Sequence, residues 1–299
     1  MAFCFVRTNP FTSYSELSRN AQRKPCRKLG HLTMELELAG KSALVTGGSR
    51  GLGKAIARRL ASEGVRVAVI ARGEELLAAA AAELSAETGA HVVPIVGDTS
   101  SDDDVKRFVS AAAAALGSID ILVNAAAEPG GQTPPPKLDE IRNDNFWPDI
   151  NTKVLGYLRV IREVVPYMRV RGGGRIVNVS GLAARTTGST IGSIRNVAVS
   201  ALTKNLADEL AADHIGVVAV HPGITKTEKV AARVRAKAEQ DSITESEADA
   251  KLASSGLLGR IVTPDEVATI VVFLASPKAV AINGDSIATG GGVRGPIFY

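Results

Sequence analysis

Cysteine is nearly absent from this 299-residue chain: the only two, Cys4 and Cys26, lie within the first 33 residues. Disulfides therefore contribute nothing to the rest of the fold, which suits a reducing compartment and a cytoplasmic location. Long apolar runs are missing as well. No stretch approaches the roughly 18 apolar residues that a membrane span requires, so no membrane association is expected. Nor does positive charge accumulate where it would matter. The formal net charge is +4, but residues 1–33 hold Arg7, Arg19, Arg23, Lys24, Arg27 and Lys28 against Glu16 alone, leaving the remainder at −1. A nucleic-acid surface is unsupported. No internal repeat, second domain or metal site is read from the chain.

The hydrophobic content, 45%, is enough for a sizeable core, and the length suits one α/β domain of roughly 250 residues with appendages. Met34 opens directly into Glu35-Leu36-Glu37-Leu38-Ala39-Gly40-Lys41, a natural domain start. Residues 1–33 are therefore expected to be a disordered N-terminal extension or sequence upstream of the true start. Their arginine- and serine-containing, acid-poor composition faintly resembles an organelle transit peptide. The domain is then 34–299.

The stretch that organises the domain is Thr46-Gly47-Gly48-Ser49-Arg50-Gly51-Leu52-Gly53. A short apolar strand precedes it, and an amphipathic helix comes after, with Ile56 and Leu60 four apart on one face. A strand that turns through glycines into a helix presents free backbone N–H groups and the positive end of a helix dipole, a geometry that suits a pyrophosphate. Further strands are predicted at 65–71, 91–96, 119–123, 175–179, 217–221 and 286–289. Helices are predicted at 74–88, 103–116, 138–170, 195–212 and 264–275. This alternation requires a parallel, doubly wound, Rossmann-like sheet with helices on both faces. A proline-rich loop covers 129–136, and a charge-rich excursion covers 226–255.

On these motifs the chain resembles the short-chain dehydrogenase/reductase family from about residue 38 to residue 292. The resemblance is carried by Thr46–Gly53, Asp98, Asn124-Ala125-Ala126, Asn151 and the run from Arg175 to Ser180. Pro222-Gly223, Leu258-Gly259-Arg260 with Pro264, Glu266 and Val267, and Phe273-Leu274-Ala275-Ser276 extend it. It implies a cofactor site made of Gly47, Ser49, Arg50, Gly51, Leu52 and Gly53, with Asp98 and Thr99 at the adenine end. Asn124, Ala125 and Ala126 would line the groove, and Pro222, Gly223, Ile224 and Thr227 would hold the nicotinamide. Ala127 stands where the family usually has glycine and adds a Cβ near the ribose. It also implies a mobile substrate lid over 226–255 and a homodimer or homotetramer, with the tail 293–299 able to join an interface.

The dinucleotide is read from charge. NAD sites place an acidic side chain at the end of the second strand to bind the ribose hydroxyls. Here that position is Arg72, with Arg50 in the glycine loop, and two guanidiniums grip a 2′-phosphate. NADP is expected rather than NAD.

The catalytic set departs from the family pattern. The family uses a serine, a tyrosine and a lysine with an asparagine behind them. Alignment puts Gly181 at the serine position, Gly192 at the tyrosine and Asn196 at the lysine, and residues 182–191 contain no tyrosine. Asn151 alone is retained. Ser180, Arg195 and the hydroxyls of Ser189, Thr190 and Ser193 are the candidate substitutes, and Asn196 remains able to bond ribose hydroxyls. Two expectations result: an NADP-dependent oxidoreductase acting on a small carbonyl/alcohol pair through a non-standard site, with Asn151 and Ser180 as catalytic candidates, or a non-catalytic dinucleotide-binding partner subunit or sensor.

Overall fold

The computed structural model describes residues 34–127, 135–254 and 256–293. Residues 1–33, most of the proline-rich loop and the tail beyond 293 lie outside the described residues. The main folded unit begins at Leu36.

The first half of the chain runs β1 (Ser42–Thr46), α1 (Gly51–Ser62), β2 (Arg66–Ala71), α2 (Glu74–Thr88), β3 (Val92–Val96), α3 (Asp102–Leu116) and β4 (Ile121–Asn124). Next come α4 (Asn143–Asp149), α5 (Gly156–Val170), β5 (Gly174–Val179), α6 (Thr190–Glu209) and β6 (Ile215–His221). The remainder is α7 (Glu228–Asp241), α8 (Glu245–Ala253), α9 (Pro264–Ala275) and β7 (Ser286–Ala288). The strands form one parallel sheet in the order β3-β2-β1-β4-β5-β6-β7.

Side chains alternate across each strand, so both faces must be apolar. Ala43 and Val45 pack with α1, α2 and α9 on one face, whereas Leu44 packs with α3 and α5 on the other. Strand order reverses between β1 and β4. At such a switch point the two loops leaving the strand ends diverge and open a crevice for a ligand.

Three predicted elements differ in the structure. The span 138–170 is not one helix. A 3₁₀ turn (Leu138–Glu140) and α4 lead into a π-helical turn, Ile150–Leu155, before α5 begins. Pro148 lies inside α4 and offers no N–H, and the Gly156 N–H bonds Asn151 five residues back. One extra residue in a turn rotates the helix beyond it by about 100°. Helix α6 starts at Thr190, five residues before the predicted position, because Ser189 accepts the Gly192 N–H as an N-cap. The charge-rich excursion folds into α7 and α8, whose Val234, Ala238 and Ala248 form a small core of their own.

Candidate active site

The glycine loop connects β1 to α1 with Gly47 at φ 72° and Gly51 at φ 55°, a region costly for residues with a Cβ. A Cβ on Gly53 would sit 2.2 Å from the Gly47 carbonyl oxygen, so this helix packs so closely on the loop that only glycine fits. Helix α1 starts with no side-chain cap at Arg50 and no acid in its first turn. In contrast, Ser101, Ser189 and Thr263 cap α3, α6 and α9. The uncapped N–H groups of α1 face a groove of about 340 Å³ that takes in Ser49, Arg50, Leu52, Arg72, Asp98 and Thr99. Ala125, Ala126 and Ala127 form its opposite wall. The Thr46 hydroxyl accepts the Ala125 and Ala126 N–H groups at 3.1 and 3.2 Å.

This is a fitting cradle for a phosphate-bearing dinucleotide. Arg50 and Arg72 put positive charge at the end where a 2′-phosphate would lie. Asp98 is not the cap of α3, which Ser101 supplies; one of its oxygens accepts the Ser100 N–H at 2.8 Å. Asn124 is fully buried and outside the groove wall. Its amide donates to Asn178, and Asn178 donates to Thr203, tying β4, β5 and α6 together. Thr227 approaches the glycine loop from the far side, with its methyl 3.5 Å from the place of a Gly51 Cβ.

A second cavity, about 510 Å³, opens at the C-terminal ends of β5 and β6. Ser180, Gly181, Asn196, Pro222, Gly223 and Ile224 line it, with Leu252 and Ala253 of α8 at its rim. Gly181 and Asn196 form one unit: a Cβ on Gly181 would lie 3.1 Å from the Asn196 Nδ2, so the glycine makes room for the amide. The Ser180 hydroxyl donates to the Asn196 carbonyl at 3.0 Å. At Gly192 a Cβ would meet the Ser189 Oγ at 2.7 Å, so a side chain there would have to displace the serine that caps α6. Ser193 donates to the Thr186 carbonyl and is not part of the cavity wall. Asn151 is half-buried, outside both cavity walls, and its carbonyl accepts from Arg159 at 3.3 Å.

The residue missed from sequence is Lys153. The π turn carries it into the cavity wall, 5% exposed. Its Nζ donates to the Ser180 carbonyl at 2.9 Å and to the Asn196 Oδ1 at 3.0 Å. Burial lowers its pKa to about 7; the neighbouring Arg195 guanidinium adds to that shift and the Asp149 carboxylate opposes it. Arg195 also lines the cavity and is paired with the buried Asp149. The sequence carried one signal: Lys153 is the only charge between Asp149 and Arg159, and it comes soon after a proline set inside a helix.

Other titratable groups nearby are committed. The Tyr157 hydroxyl donates to the Val179 carbonyl at 2.9 Å, and burial pushes its pKa far up. His221, lowered by burial, lies between the Gly181 carbonyl at Nδ1 and the Ser200 hydroxyl at Nε2.

A family model described as short chain dehydrogenase matches residues 41–238. Dehydrogenase/reductase SDR family member 4 of Oryctolagus cuniculus is 38% identical over 261 residues, covering 85% of this chain and 94% of its own. L-Sorbose reductase of Gluconobacter frateurii, solved with NADPH and L-sorbose, aligns at 27% identity and TM-score 0.83, covering 88% of this chain and 100% of that one. An actinorhodin polyketide ketoreductase variant solved with NADPH aligns at 33% identity and TM-score 0.77, covering 84% and 96%. Fold, glycine loop and sequence agree, and the chain belongs to the short-chain dehydrogenase/reductase family.

Proposed function

We propose that this protein is an NADP-dependent oxidoreductase that interconverts a small carbonyl compound and its alcohol without the family's tyrosine and lysine. The observation that carries the reading is the groove, in which an uncapped helix start and two arginines, Arg50 and Arg72, converge. In it the Gly47–Gly53 backbone holds the pyrophosphate, Arg50 and Arg72 the 2′-phosphate, and Asp98 and Thr99 the adenine end. Pro222, Gly223 and Ile224 bracket the nicotinamide, and Asn196 faces its ribose. Bound there, the cofactor supplies or accepts hydride at nicotinamide C4. Relatives of this chain solved with NADPH support the assignment.

Leu182, Ile224, Leu252, Ile261 and Val262 give the substrate cavity an apolar part of its wall. Lys153 and Arg195 form its polar end. The wall favours a compact, mostly apolar carbonyl compound, with α7 and α8 as a lid whose Leu252 closes on it. A cytoplasmic location, a domain of residues 34–299 and a homodimer or homotetramer complete the reading. Trp147, Leu155, Leu158, Ile194 and Val197 leave apolar surface exposed on α4, the π turn, α5 and α6, and burying it between copies supports the assembly.

Fluorescence titration of the purified protein with NADPH and, separately, NADH tests the reading. NADPH should bind tightly and NADH weakly. Arg72→Glu should lower NADPH affinity by roughly 10–100-fold, the loss of a charge-assisted contact, with NADH little affected. Failure of both cofactors to bind at millimolar concentration would reject it. A second reading, a non-catalytic dinucleotide-binding subunit or sensor, draws on Gly181, Gly192 and Asn196 standing where the family has its serine, tyrosine and lysine. It predicts NADPH binding without turnover of any carbonyl compound in a broad screen.

A further inference from the structure

We infer that Lys153 is the catalytic acid–base of this site, replacing the absent tyrosine, while the Ser180 carbonyl and the Asn196 side chain hold it in place. The inference rests on the oxidoreductase reading above. An ammonium group has three N–H donors; Ser180 and Asn196 accept two of them, at 2.9 and 3.0 Å. The third is left for an oxygen in the cavity whose wall Lys153 shares with Gly181, Pro222 and Gly223. Asn196 occupies the position of the family's lysine, so Lys153 meets the family's reaction centre from the π turn instead of from α6.

The alternatives are each engaged elsewhere. The Ser180 hydroxyl is given to the Asn196 carbonyl, and Tyr157 to Val179. The Arg195 guanidinium is paired with Asp149 and does not release a proton near neutrality. His221 is held between Gly181 and Ser200, outside the cavity wall. Among the described residues lining the cavity, Lys153 is the one group able to give and regain a proton near neutral pH. Burial, helped by Arg195 from α6 and opposed by Asp149 from α4, lowers its titration to about 7, where a proton carrier works best in both directions; His221, beyond on β6, also faces it and is itself lowered.

In reduction, hydride adds to the carbonyl carbon, the C=O π pair moves onto oxygen, and an N–H proton of Lys153 passes to that oxygen. The neutral amine then regains a proton from solvent. In oxidation, neutral Lys153 takes the hydroxyl proton as the carbon gives up hydride, for which NADP⁺ held in the groove would be the acceptor. Reduction therefore requires the ammonium and falls as pH rises through about 7, whereas oxidation requires the amine and rises through the same range.

Three variants and one titration test this. Lys153→Met and Lys153→Arg should each lose on the order of 10²–10⁴-fold in kcat, with NADPH affinity within about threefold of the unsubstituted protein. Asn196→Asp places a carboxylate on the ammonium and should move the alkaline fall of the reduction rate up by roughly one unit or more. NMR titration of ¹³C-lysine protein without cofactor, assigned with Lys153→Met, should show the Lys153 signal titrating near 7, well below the ~10.4 of a free lysine. An ordinary midpoint for Lys153, or Lys153→Met turning over within about threefold of the parent rate, would overturn the inference while leaving the oxidoreductase reading intact. Absence of both NADPH binding and turnover in the unsubstituted protein would remove both together.

Discussion

Lys153 lies two residues beyond Asn151 in the π turn Ile150–Leu155, and of the two only Lys153 lines the cavity. Holding a charged amine away from water is unfavourable, and its pKa near 7 reports that cost. Between pH 7 and 10 the unfolded chain retains this proton and the folded chain has released it, so the Lys153 contribution to stability is full above the unfolded pKa and is lost as pH falls toward the folded one. The stability of the parent relative to Lys153→Met should rise by a few kcal/mol, in order of magnitude, from pH 7 to pH 10 and stay flat below pH ~6. Urea unfolding of the two proteins across that range measures it; a difference constant with pH would mean an ordinary lysine. The Gly181–Asn196 pair is the other decision at this scale. A Cβ at Gly181 would lie 3.1 Å from the Nδ2 of Asn196, whose Oδ1 accepts from Lys153, so Gly181→Ser should shift the asparagine.

At the scale of elements, the site depends on where strands and helices stop. Gly53 lets α1 pack on the loop; Gly53→Ala, with its Cβ 2.2 Å from a carbonyl, should abolish NADPH binding by titration and lower the melting temperature. Arg175 shows how the opposite end of β5 is secured. Its guanidinium donates to the carbonyls of Leu274, Ala279 and Ile282 at 2.7, 3.1 and 2.5 Å, closing the C-terminal end of α9 against the sheet. Arg175→Met leaves those carbonyls without a charged donor and should cost about 2–4 kcal/mol, a fall of roughly 5–15 °C by calorimetry. NADPH affinity of the remaining folded protein should not change, since the glycine loop is at the other end of the strands. A fall in affinity matching the loss of stability would mean that α9 also shapes the groove.

At the scale of the molecule, the two cavities lie on the same edge of the sheet, where the strands end, and the π turn divides them: Thr152 faces the groove and Lys153 the substrate cavity. No helix among the described residues is long and apolar enough to cross a membrane. The apolar side chains left outside on α5 and α6 belong to assembly in our proposal. Ile194→Glu combined with Val197→Glu, 46% and 50% exposed in the single chain, should convert the protein to a monomer in light scattering without loss of fold. An unchanged mass would place the interface elsewhere.

The sequence by itself determined the sheet, its order of elements and the glycine turn between β1 and α1. Those depend on local rules: a two-residue alternation for strands, glycines where φ is positive, and the apolar stripe of each helix. Strand positions were legible to within about two residues for that reason. It also placed Gly181 just past β5 and Gly192 and Asn196 on α6, because they lie in fixed register with neighbouring strand and helix motifs. The surroundings of Lys153 were decided only in three dimensions. A π turn leaves the periodicity of its helix almost unaltered while rotating everything beyond it, so nothing in the pattern sets Lys153 apart within the helix predicted at 138–170. Its two acceptors, Ser180 and Asn196, are 27 and 43 residues away, and only the packing of the π turn and α6 around the end of β5 brings them to the same nitrogen.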